Sequence, residues 1–302
     1  MIIKLLGSAA GGGYPQWNCA CPNCARTRTG DPSILPRRND SLAISPDGKR
    51  WVLLNASPDI SIQIEDNACL HPGSDIRGSP IQAVLLTDAE LDHTTGLLQL
   101  RQGSAIDIYA AQPVLRALAE HFPVRRIIEP FASFQWHETK VEELFPLFRG
   151  QLTICPFVLG SKPPRYVGTG HSSQQQPWSV GYRIADRRTG GVVVYAPGIE
   201  TWTWTLERQL VGADCLFLDG TFWSGDELRE LGISELHASD MGHLHVAGPD
   251  GSAQHLARSP VRRKVYIHVN NTNPMLLPDS PQRRAILDMG IEIGFDGMEM
   301  EV

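Results

Sequence analysis

The sequence predicts an α+β fold in which two mixed β-sheets pack face to face, with helices on the outer faces. Three observations lead to this prediction. Short apolar runs typical of strands recur along the whole chain; early ones are joined by hairpin turns, and later ones alternate with helical patterns. Each half of the chain also ends on a helix followed by a strand. Two layers of mixed sheet covered by helices accommodate this order of elements.

The first half begins with a strand, and a hairpin then turns through Pro46-Asp47-Gly48. A helix follows Ser57 or Asp59 as its cap, with Pro58 near its first turn. Apolar side chains on one face predict a further helix over residues 113–122. The strands predicted in this half are 2–6, 41–45, 51–55, 83–86 and 106–109.

The second half alternates strands with helices. Ser280 caps a helix that has Pro281 in its first turn and ends at Gly290. The other helices are predicted over 201–211 and 252–258, and a polar loop over 160–177 carries His171. The predicted strands are 152–159, 178–184, 191–196, 214–218, 264–269, 291–295 and 298–302.

Composition limits the class of protein. The 302 residues are 42% hydrophobic and 20% charged, as in a globular chain with a sizeable core. The net charge is −6 and the arginine pairs are scattered, so we expect no nucleic-acid partner, since phosphate binding needs clustered positive charge. No apolar run approaches the ~18 residues of a membrane span, and the apolar start is too short for a signal peptide. We therefore expect a soluble cytoplasmic protein.

Three cysteines lie within six positions: Cys19, Cys21 and Cys24. Soft thiolate ligands at C-x-C-x-x-C spacing suit tetrahedral zinc, and a site closed by a fourth ligand would be structural. The alternative is a reduced cysteine cluster without metal. Nothing in the pattern indicates a thiol nucleophile.

A second candidate site follows the apolar strand that ends near Leu86. Asp92 and His93 are adjacent, and neighbours on a flat strand would point to opposite faces. On a turn between strand and helix they can converge, and carboxylate with imidazole is a common pair of metal ligands. The alternative is a surface aspartate beside a helix-capping histidine.

Two further strand ends carry ligand-type residues, Asp219 and His268. Together with Asp92 and His93 they describe a site for one divalent metal with open positions. The same donors suit ferrous iron that activates oxygen or zinc that activates water. Any one of these histidines alone would more often be an ordinary core or surface residue.

At this point the chain resembles known families. Asp88-Ala89-Glu90-Leu91-Asp92-His93 is similar to the H-x-H-x-D-H signature of the metallo-β-lactamase superfamily. Longer motifs resemble the coenzyme PQQ synthesis protein B family over nearly the whole chain. These motifs are residues 7–13, 15–19, 55–59, 92–98, 195–198, 241–243 and 268–274.

The resemblance implies an αββα sandwich forming one domain over residues 1–302, with a cysteine-rich zinc loop near 19–24. It implies a step in the synthesis of pyrroloquinoline quinone (PQQ): hydroxylation, dependent on Fe(II) and O2, of the tyrosine ring in a cross-linked Glu–Tyr precursor. Zinc could occupy the open site as purified, and other PQQ pathway enzymes are possible partners. Two alternatives stay open, a carrier for PQQ or its precursor and a zinc-dependent hydrolase.

Departures from the superfamily motif bear on this choice. Asp88 and Glu90 replace its first two histidines, so one metal of the dinuclear hydrolases should be missing, and both acids are candidate catalytic bases. His243 lies where related hydrolases carry a loop histidine, which makes it an acid–base or substrate-contact candidate; His245 and His171 are weaker ones.

A phosphodiesterase relative takes its fourth zinc ligand from the position of Asn271, a poor zinc ligand. The sequence does not identify the fourth zinc ligand, the residues that bind the substrate carboxylates or the oligomeric state.

Overall fold

The computed structural model describes residues 1–74, 76–102, 105–168 and 176–302. Fourteen strands form two seven-stranded sheets. The first sheet has the order β14-β1-β2-β3-β4-β5-β6. Its strands are β1 (Ile2–Gly7), β2 (Ser41–Ser45), β3 (Trp51–Leu54), β4 (Ile81–Leu85), β5 (Asp107–Ala111), β6 (Gln135–Thr139) and β14 (Glu299–Glu301).

The second sheet has the order β13-β12-β11-β10-β9-β8-β7. Both sheets are mixed, with antiparallel pairs in one half and parallel pairs in the other. The strands of the second sheet are β7 (Phe145–Leu147), β8 (Leu152–Gly160), β9 (Ser179–Asp186), β10 (Val192–Ala196), β11 (Cys215–Asp219), β12 (Arg263–Ile267) and β13 (Glu292–Ile293).

Helices are short and lie between the strands. In the described ranges they are α1 (Pro22–Arg28), α2 (Ile60–Glu65), α3 (Leu91–Thr94), α4 (Gln112–Glu120), α5 (Val124–Ile128), α6 (Trp204–Leu210), α7 (Glu227–Glu230), α8 (Ser252–Arg258) and α9 (Pro281–Asp288). None of these helices is long and apolar enough to cross a lipid bilayer.

Local chemistry fixes the turn between β2 and β3. Gly48 has φ +74°, a conformation that costs glycine little. One carboxylate oxygen of Asp47 accepts the backbone N–H groups of Lys49 and Arg50 at 2.9 and 3.0 Å. This closes the hairpin that the Pro-Asp-Gly pattern predicted, and it sets the register in which Leu42 faces Leu54.

The larger apolar core lies between the sheets. Buried side chains of β1 to β5 pack there against those of β8, β9 and the inner face of β10. A second core on the outer face of β10 to β12 is covered by α6, α8 and α9. Burial of both faces explains why β10 and β11 are continuous apolar runs. The predicted class, two mixed sheets with helices outside, is confirmed.

The parallel strands of each sheet position the site. In the second sheet Ala196 pairs with Leu218, and Asp219 pairs with Ile267, so β10, β11 and β12 end at one edge. In the first sheet, β3 and β4 also run parallel, with Leu54 beside Leu85. The segments that follow these strands therefore emerge together along one rim.

Several elements differ from the prediction. The strands β6 and β7 and the helices α1, α5 and α7 were missed. β6 is an edge strand of mostly polar sequence, so it lacks the apolar alternation on which a strand prediction depends. The helix expected to be capped by Ser57 or Asp59 begins at Ile60 after Asp59, but the Asp59 side chain makes no capping hydrogen bond.

Candidate metal-binding active site

The segment after β4 presents His93 in a fixed orientation. The ring is buried, and its Nδ1 atom lies 2.8 Å from both carboxylate oxygens of Asp88. Asp88 is itself held by the Thr87 hydroxyl at 2.8 Å and the Glu90 backbone N–H at 2.9 Å. A carboxylate only accepts hydrogen bonds, so Nδ1 carries the proton. In the neutral ring the lone pair is then on Nε2, which is buried and has no hydrogen-bond partner.

His268 directly follows β12 with φ +53°, a left-handed conformation that costs a non-glycine residue roughly 1–3 kcal/mol. Its Nδ1 lies 2.8 Å from the hydroxyl of Thr221, which also lies 2.6 Å from Oδ1 of Asp219. Because a carboxylate oxygen can only accept and this contact is the shortest that the hydroxyl makes, the hydroxyl donates to Asp219 and accepts from His268 Nδ1. His268 therefore also presents the lone pair of Nε2.

His243 is oriented in the same way by Asp219. This aspartate is the last residue of β11 and is fully buried. Its Oδ2 lies 2.7 Å from Nδ1 of His243 and accepts the Ile199 backbone N–H at 3.0 Å. The His243 ring stacks on that of His268, with centroids 5.3 Å apart. The carboxylate fixes the tautomer of His243 and leaves Nε2 free.

Two groups of ligand-type atoms share His268. One contains Asp92, His93 and His268, the other Asp219, His243 and His268, and within each group the atoms lie within 4.8 Å of one another. The four residues predicted to bind one metal therefore divide between two groups, and His243 joins the second. Neither Asp88 nor Glu90 belongs to a group among residues of the described ranges.

The donor set fits a cation. Oδ2 of Asp92 lies 3.3 Å from Nε2 of His268 and 3.8 Å from Nε2 of His93. A carboxylate oxygen facing two imidazole lone pairs is repulsive unless a metal ion or a proton lies between them. The rings of His93 and His268 are 5.1 Å apart and nearly edge-on, as the predicted convergence requires.

Electrostatics at the site point the same way. Burial alone would lower the pKa of His93, but the carboxylates of Asp88 and Asp92 raise it to about 10. Burial would raise the pKa of Asp92, but His93 and the hydrogen bond to His268 hold it well below its usual range. The raised pKa of His93 reports the negative charge of the two carboxylates, and the lowered pKa of Asp92 reports the imidazole rings beside it. Both shifts show that the site favours a positive charge, a proton or a metal ion, between the carboxylate and the rings.

These groups open into a cavity of about 520 Å³, within the roughly 300–1,000 Å³ typical of small-molecule sites. The ring of Phe222 forms an apolar part of its wall, and Lys162 and Arg165 bring positive charge. Glu90 also lines it. The cavity walls partly shield Glu90 from water, and this desolvation, together with the charges of Asp88 and Asp92, raises its pKa to about 7. The side chain is still accessible to solvent through the cavity mouth.

The cysteine cluster lies at a separate place. The sulfur atoms of Cys19, Cys21 and Cys24 converge within 4.8 Å, and no disulfide joins them. Pro22 starts α1 directly after Cys21, whose sulfur accepts the Cys24 backbone N–H at 3.5 Å. This turn folds the C-x-C-x-x-C segment around one point. Three soft donors without a mutual covalent bond fit the predicted zinc site.

Other predicted residues have different environments. His171 lies outside the described residues. The ring of His245 is 6.4 Å from that of His237 and belongs to neither ligand group in the described ranges. Thr221, Lys162 and Arg165 were missed. Thr221 directly follows the Asp219-Gly220 strand end, a position that could have drawn attention to it; Lys162 and Arg165 lie in a polar loop that gives no periodic signal.

The chain is similar to a family model and to named proteins from other bacteria. A family model described as a beta-lactamase superfamily domain matches residues 50–269. Coenzyme PQQ synthesis protein B of Cupriavidus taiwanensis is 44% identical over 303 residues, covering 99% of this chain and 98% of that protein. The protein of the same name from Methylococcus capsulatus is 40% identical over 304 residues, covering 99% of each.

Among solved structures, Zn²⁺-bound PqqB from Methylobacterium extorquens aligns with a TM-score of 0.93 and 36% identity, covering 100% of both chains. A diphosphatase from the PhnP family aligns with a TM-score of 0.70 over 100% of this chain and 96% of its own. At 19% identity the diphosphatase bears on the fold alone. These matches confirm the metallo-β-lactamase-like fold that the sequence predicted.

Proposed function

The chain belongs to the coenzyme PQQ synthesis protein B family of the β-lactamase superfamily, and on this premise we propose that it hydroxylates a PQQ precursor. Its similarity over nearly the full length to PQQ synthesis proteins supports a role in PQQ biosynthesis. The finer proposal is that the protein is an oxygenase. Its substrate is the cross-linked Glu–Tyr precursor, and its reaction is hydroxylation of the tyrosine ring with Fe(II) and O2.

One observation carries this proposal. The Nε2 atom of His93 is buried without a partner, and it faces the same point as Asp92 and His268 beside an open cavity. Asp92, His93 and His268 would hold the metal, with Asp219 and His243 completing its surroundings. When bound there, ferrous iron would supply the redox chemistry that lets O2 react with an electron-rich ring.

The chain's own residues bind and orient the substrate. Lys162 and Arg165 lie on one cavity wall, and the substrate brings carboxylates that pair with such cations. The loop that carries Lys162 is anchored by Glu200, whose Oε1 accepts the backbone N–H groups of Ser161 and Lys162 at 2.9 and 2.8 Å. Phe222 offers an apolar surface for the ring.

Proton transfer would fall to groups that face the cavity. His243 and Glu90 both line it and are the proposed acid–base residues. Asp88 holds Nδ1 of His93 and would act as a positioning residue. Hydroxylation of one C–H bond places one oxygen atom of O2 in the product and reduces the other to water. This consumes two electrons and two protons, so the proposal includes a small-molecule reductant as co-substrate.

The test mixes iron-loaded protein with the Glu–Tyr substrate and ascorbate under nitrogen and then admits ¹⁸O2. We expect oxygen uptake matched to a product that has gained one ¹⁸O atom, and neither in His93→Ala. Tight binding without turnover would replace the proposal with a carrier. Cleavage of the substrate without oxygen uptake would replace it with a hydrolase.

A further inference from the structure

We propose that Asp40 is a buried counter-charge for the open metal site and strengthens cation binding without touching the ion. Asp40 directly precedes β2 and is fully buried, with 0% of its surface exposed. One carboxylate oxygen, Oδ2, accepts the hydroxyl hydrogen of Tyr195. The other, Oδ1, is buried and has no hydrogen-bond partner among the described residues. The inference rests on metal binding at this site and not on the reaction proposed for it.

A carboxylate in such a position is unfavourable unless positive charge lies near it, because an ionised group loses its hydration when it is buried. Burial raises the pKa of Asp40 to about 6, and the groups whose charges oppose this rise most are His268 and His93. Both rings belong to the proposed metal site. The positive charge that would compensate Asp40 is therefore the charge held at that site.

The backbone places Asp40 behind the metal site. Its N–H donates to the carbonyl oxygen of Ala9 at 2.8 Å, and Ala9 forms a parallel bridge with Val269, the residue after His268. The segment that continues β1 thus lies between Asp40 and the turn that carries His268. Asp40 belongs to neither group of ligand-type atoms in the described part of the chain. Its carboxylate therefore acts on a bound ion through space.

Hydrogen bonds also connect Asp40 to His93 through the core. The Tyr195 hydroxyl accepts from Nδ2 of Asn55 at 3.2 Å, and Oδ1 of Asn55 accepts the backbone N–H of Thr87 at 3.0 Å. The Thr87 hydroxyl lies 2.8 Å from the carboxylate that holds His93. All these side chains are buried. A test must therefore separate the charge of Asp40 from its place in this chain of hydrogen bonds.

The experiment compares Asp40→Asn and Tyr195→Phe with the unaltered protein. Asp40→Asn keeps the size of the side chain and an acceptor for Tyr195, but it removes the charge. Tyr195→Phe keeps the charge of Asp40 and interrupts the hydrogen bonds. Asp186→Asn is the matched control, because it makes the same change to another buried aspartate. Asp186 is the last residue of β9, whose first residue, Ser179, lines the cavity.

Affinity is measured with Mn²⁺ at pH 8, where Asp40 is ionised, from the electron paramagnetic resonance signal of the free ion. The cysteine cluster is first loaded with zinc. Mn²⁺ prefers carboxylate ligands to thiolates and binds more weakly than zinc, so it reports on the open site. The unfolding temperature of each protein is measured without Mn²⁺.

We expect Asp40→Asn to bind Mn²⁺ roughly tenfold more weakly, since a buried charge acts strongly on a divalent ion through the protein interior. Its unfolding temperature should not fall, because the variant loses a buried charge that has no partner in the metal-free protein. Tyr195→Phe and Asp186→Asn should bind Mn²⁺ within threefold of the unaltered protein.

The proposal is overturned if Asp40→Asn binds Mn²⁺ within threefold of the unaltered protein or unfolds at a lower temperature. It is also overturned if Tyr195→Phe loses as much affinity as Asp40→Asn, since the hydrogen bonds and not the charge would then support the site. Failure of the unaltered protein to bind Mn²⁺ would overturn the metal site and this proposal with it.

Discussion

The carboxylate of Asp88 holds Nδ1 of His93 at 2.8 Å through both of its oxygens. The superfamily signature has a histidine at the position of Asp88. The substitution therefore exchanges a possible metal ligand for a group that orients the imidazole of His93, a proposed ligand. A carboxylate behind a metal-binding imidazole fixes its tautomer and increases its basicity.

Replacing Asp88 by Asn keeps the size of the side chain but removes its charge. We expect the affinity of the open site for Fe(II) or Zn²⁺ to fall by roughly 10- to 100-fold, the usual effect of losing such a carboxylate. Isothermal titration calorimetry with the metal measures this affinity. Glu90 lies two residues from Asp88, and only its backbone carbonyl, not its side chain, is hydrogen-bonded to His93. Glu90→Gln should therefore change the affinity little; equal losses in the two variants would contradict the orienting role.

The two metal sites should be separable by mutation. His93→Ala and His268→Ala should lose the metal of the open site and keep the cysteine-bound zinc. Cys21→Ala should do the reverse and lower the stability of the fold, because structural zinc contributes to folding. Elemental analysis of the purified variants checks this, with the half-exposed His137→Ala as control. Loss of all metal from His93→Ala would show that the sites are not independent.

Lys162 and Arg165 should govern substrate binding rather than chemistry. Lys162→Gln and Arg165→Gln each remove one cation from the cavity wall. We expect KM for the Glu–Tyr substrate to rise about tenfold, since a charge-assisted hydrogen bond contributes roughly 1.5 kcal/mol or more, with kcat changed less. Steady-state oxygen uptake measures both. Arg126→Gln, an exposed charge on α5, is the control; an unchanged KM in both cavity variants would exclude this role.

Glu227 should make stability depend on pH. It is buried, with 5% exposure, and burial raises its pKa to about 7. The unfolded carboxyl ionises near its ordinary pKa of 4.5, so between about 4.5 and 7 the folded state binds more protons than the unfolded state. Stability should therefore fall as pH rises through this range, by up to about 1.4 kcal/mol per pH unit.

Urea unfolding at several pH values between 4.5 and 8 tests this for the unaltered protein and for Glu227→Gln. The variant has no carboxyl to titrate, so the difference in unfolding free energy between the two proteins should change steadily up to about pH 7 and then level off. Parallel curves for the two proteins would refute the assignment. Ionisation of Glu227 also bears on the cysteine cluster, because its carboxylate accepts a hydrogen bond from Thr272, the neighbour of Asn271.

Gly96 allows the turn after α3 to pack closely against residues 56–57. A Cβ atom there would lie 2.1 Å from the backbone oxygen of Ser57 and 2.6 Å from that of Ala56. Neither backbone can move away easily, so Gly96→Ala should destabilise the protein by about 3 kcal/mol or more. Gly73→Ala, where a Cβ meets nothing within 4 Å, should have little effect on the unfolding temperature. A normal unfolding temperature for Gly96→Ala would show that this packing is loose.

The layered fold could be predicted because most strands are buried on one or both faces and therefore have apolar sequences. Asp92, His93, Asp219 and His268 could be found for the same reason, since Asp219 ends such a strand and the other three follow one. The confirmed fold brings these four strand-end residues to one rim, but the roles of all site residues stay predictions, as does the assignment of residues 1–302 to one domain.

Other residues of the site are not indicated by any pattern in the sequence. The pairing of His243 with Asp219 joins residues 24 positions apart across a loop, so no local spacing encodes it. The hydroxyl of Thr221 matters only because β11 and β12 are neighbours in the sheet. By its residue type alone, Asn271 is a poor zinc ligand. Its contacts with three sulfurs became visible only in three dimensions.

His268 and Asn271 are three residues apart, and each faces a different cluster of ligand-type side chains. An insertion or deletion of a single residue between them would move at least one of the two residues out of its cluster. The length of this turn should thus be invariant in functional homologues, even where its composition drifts. A family alignment with gaps at this turn would mark proteins in which one of the two clusters is no longer formed.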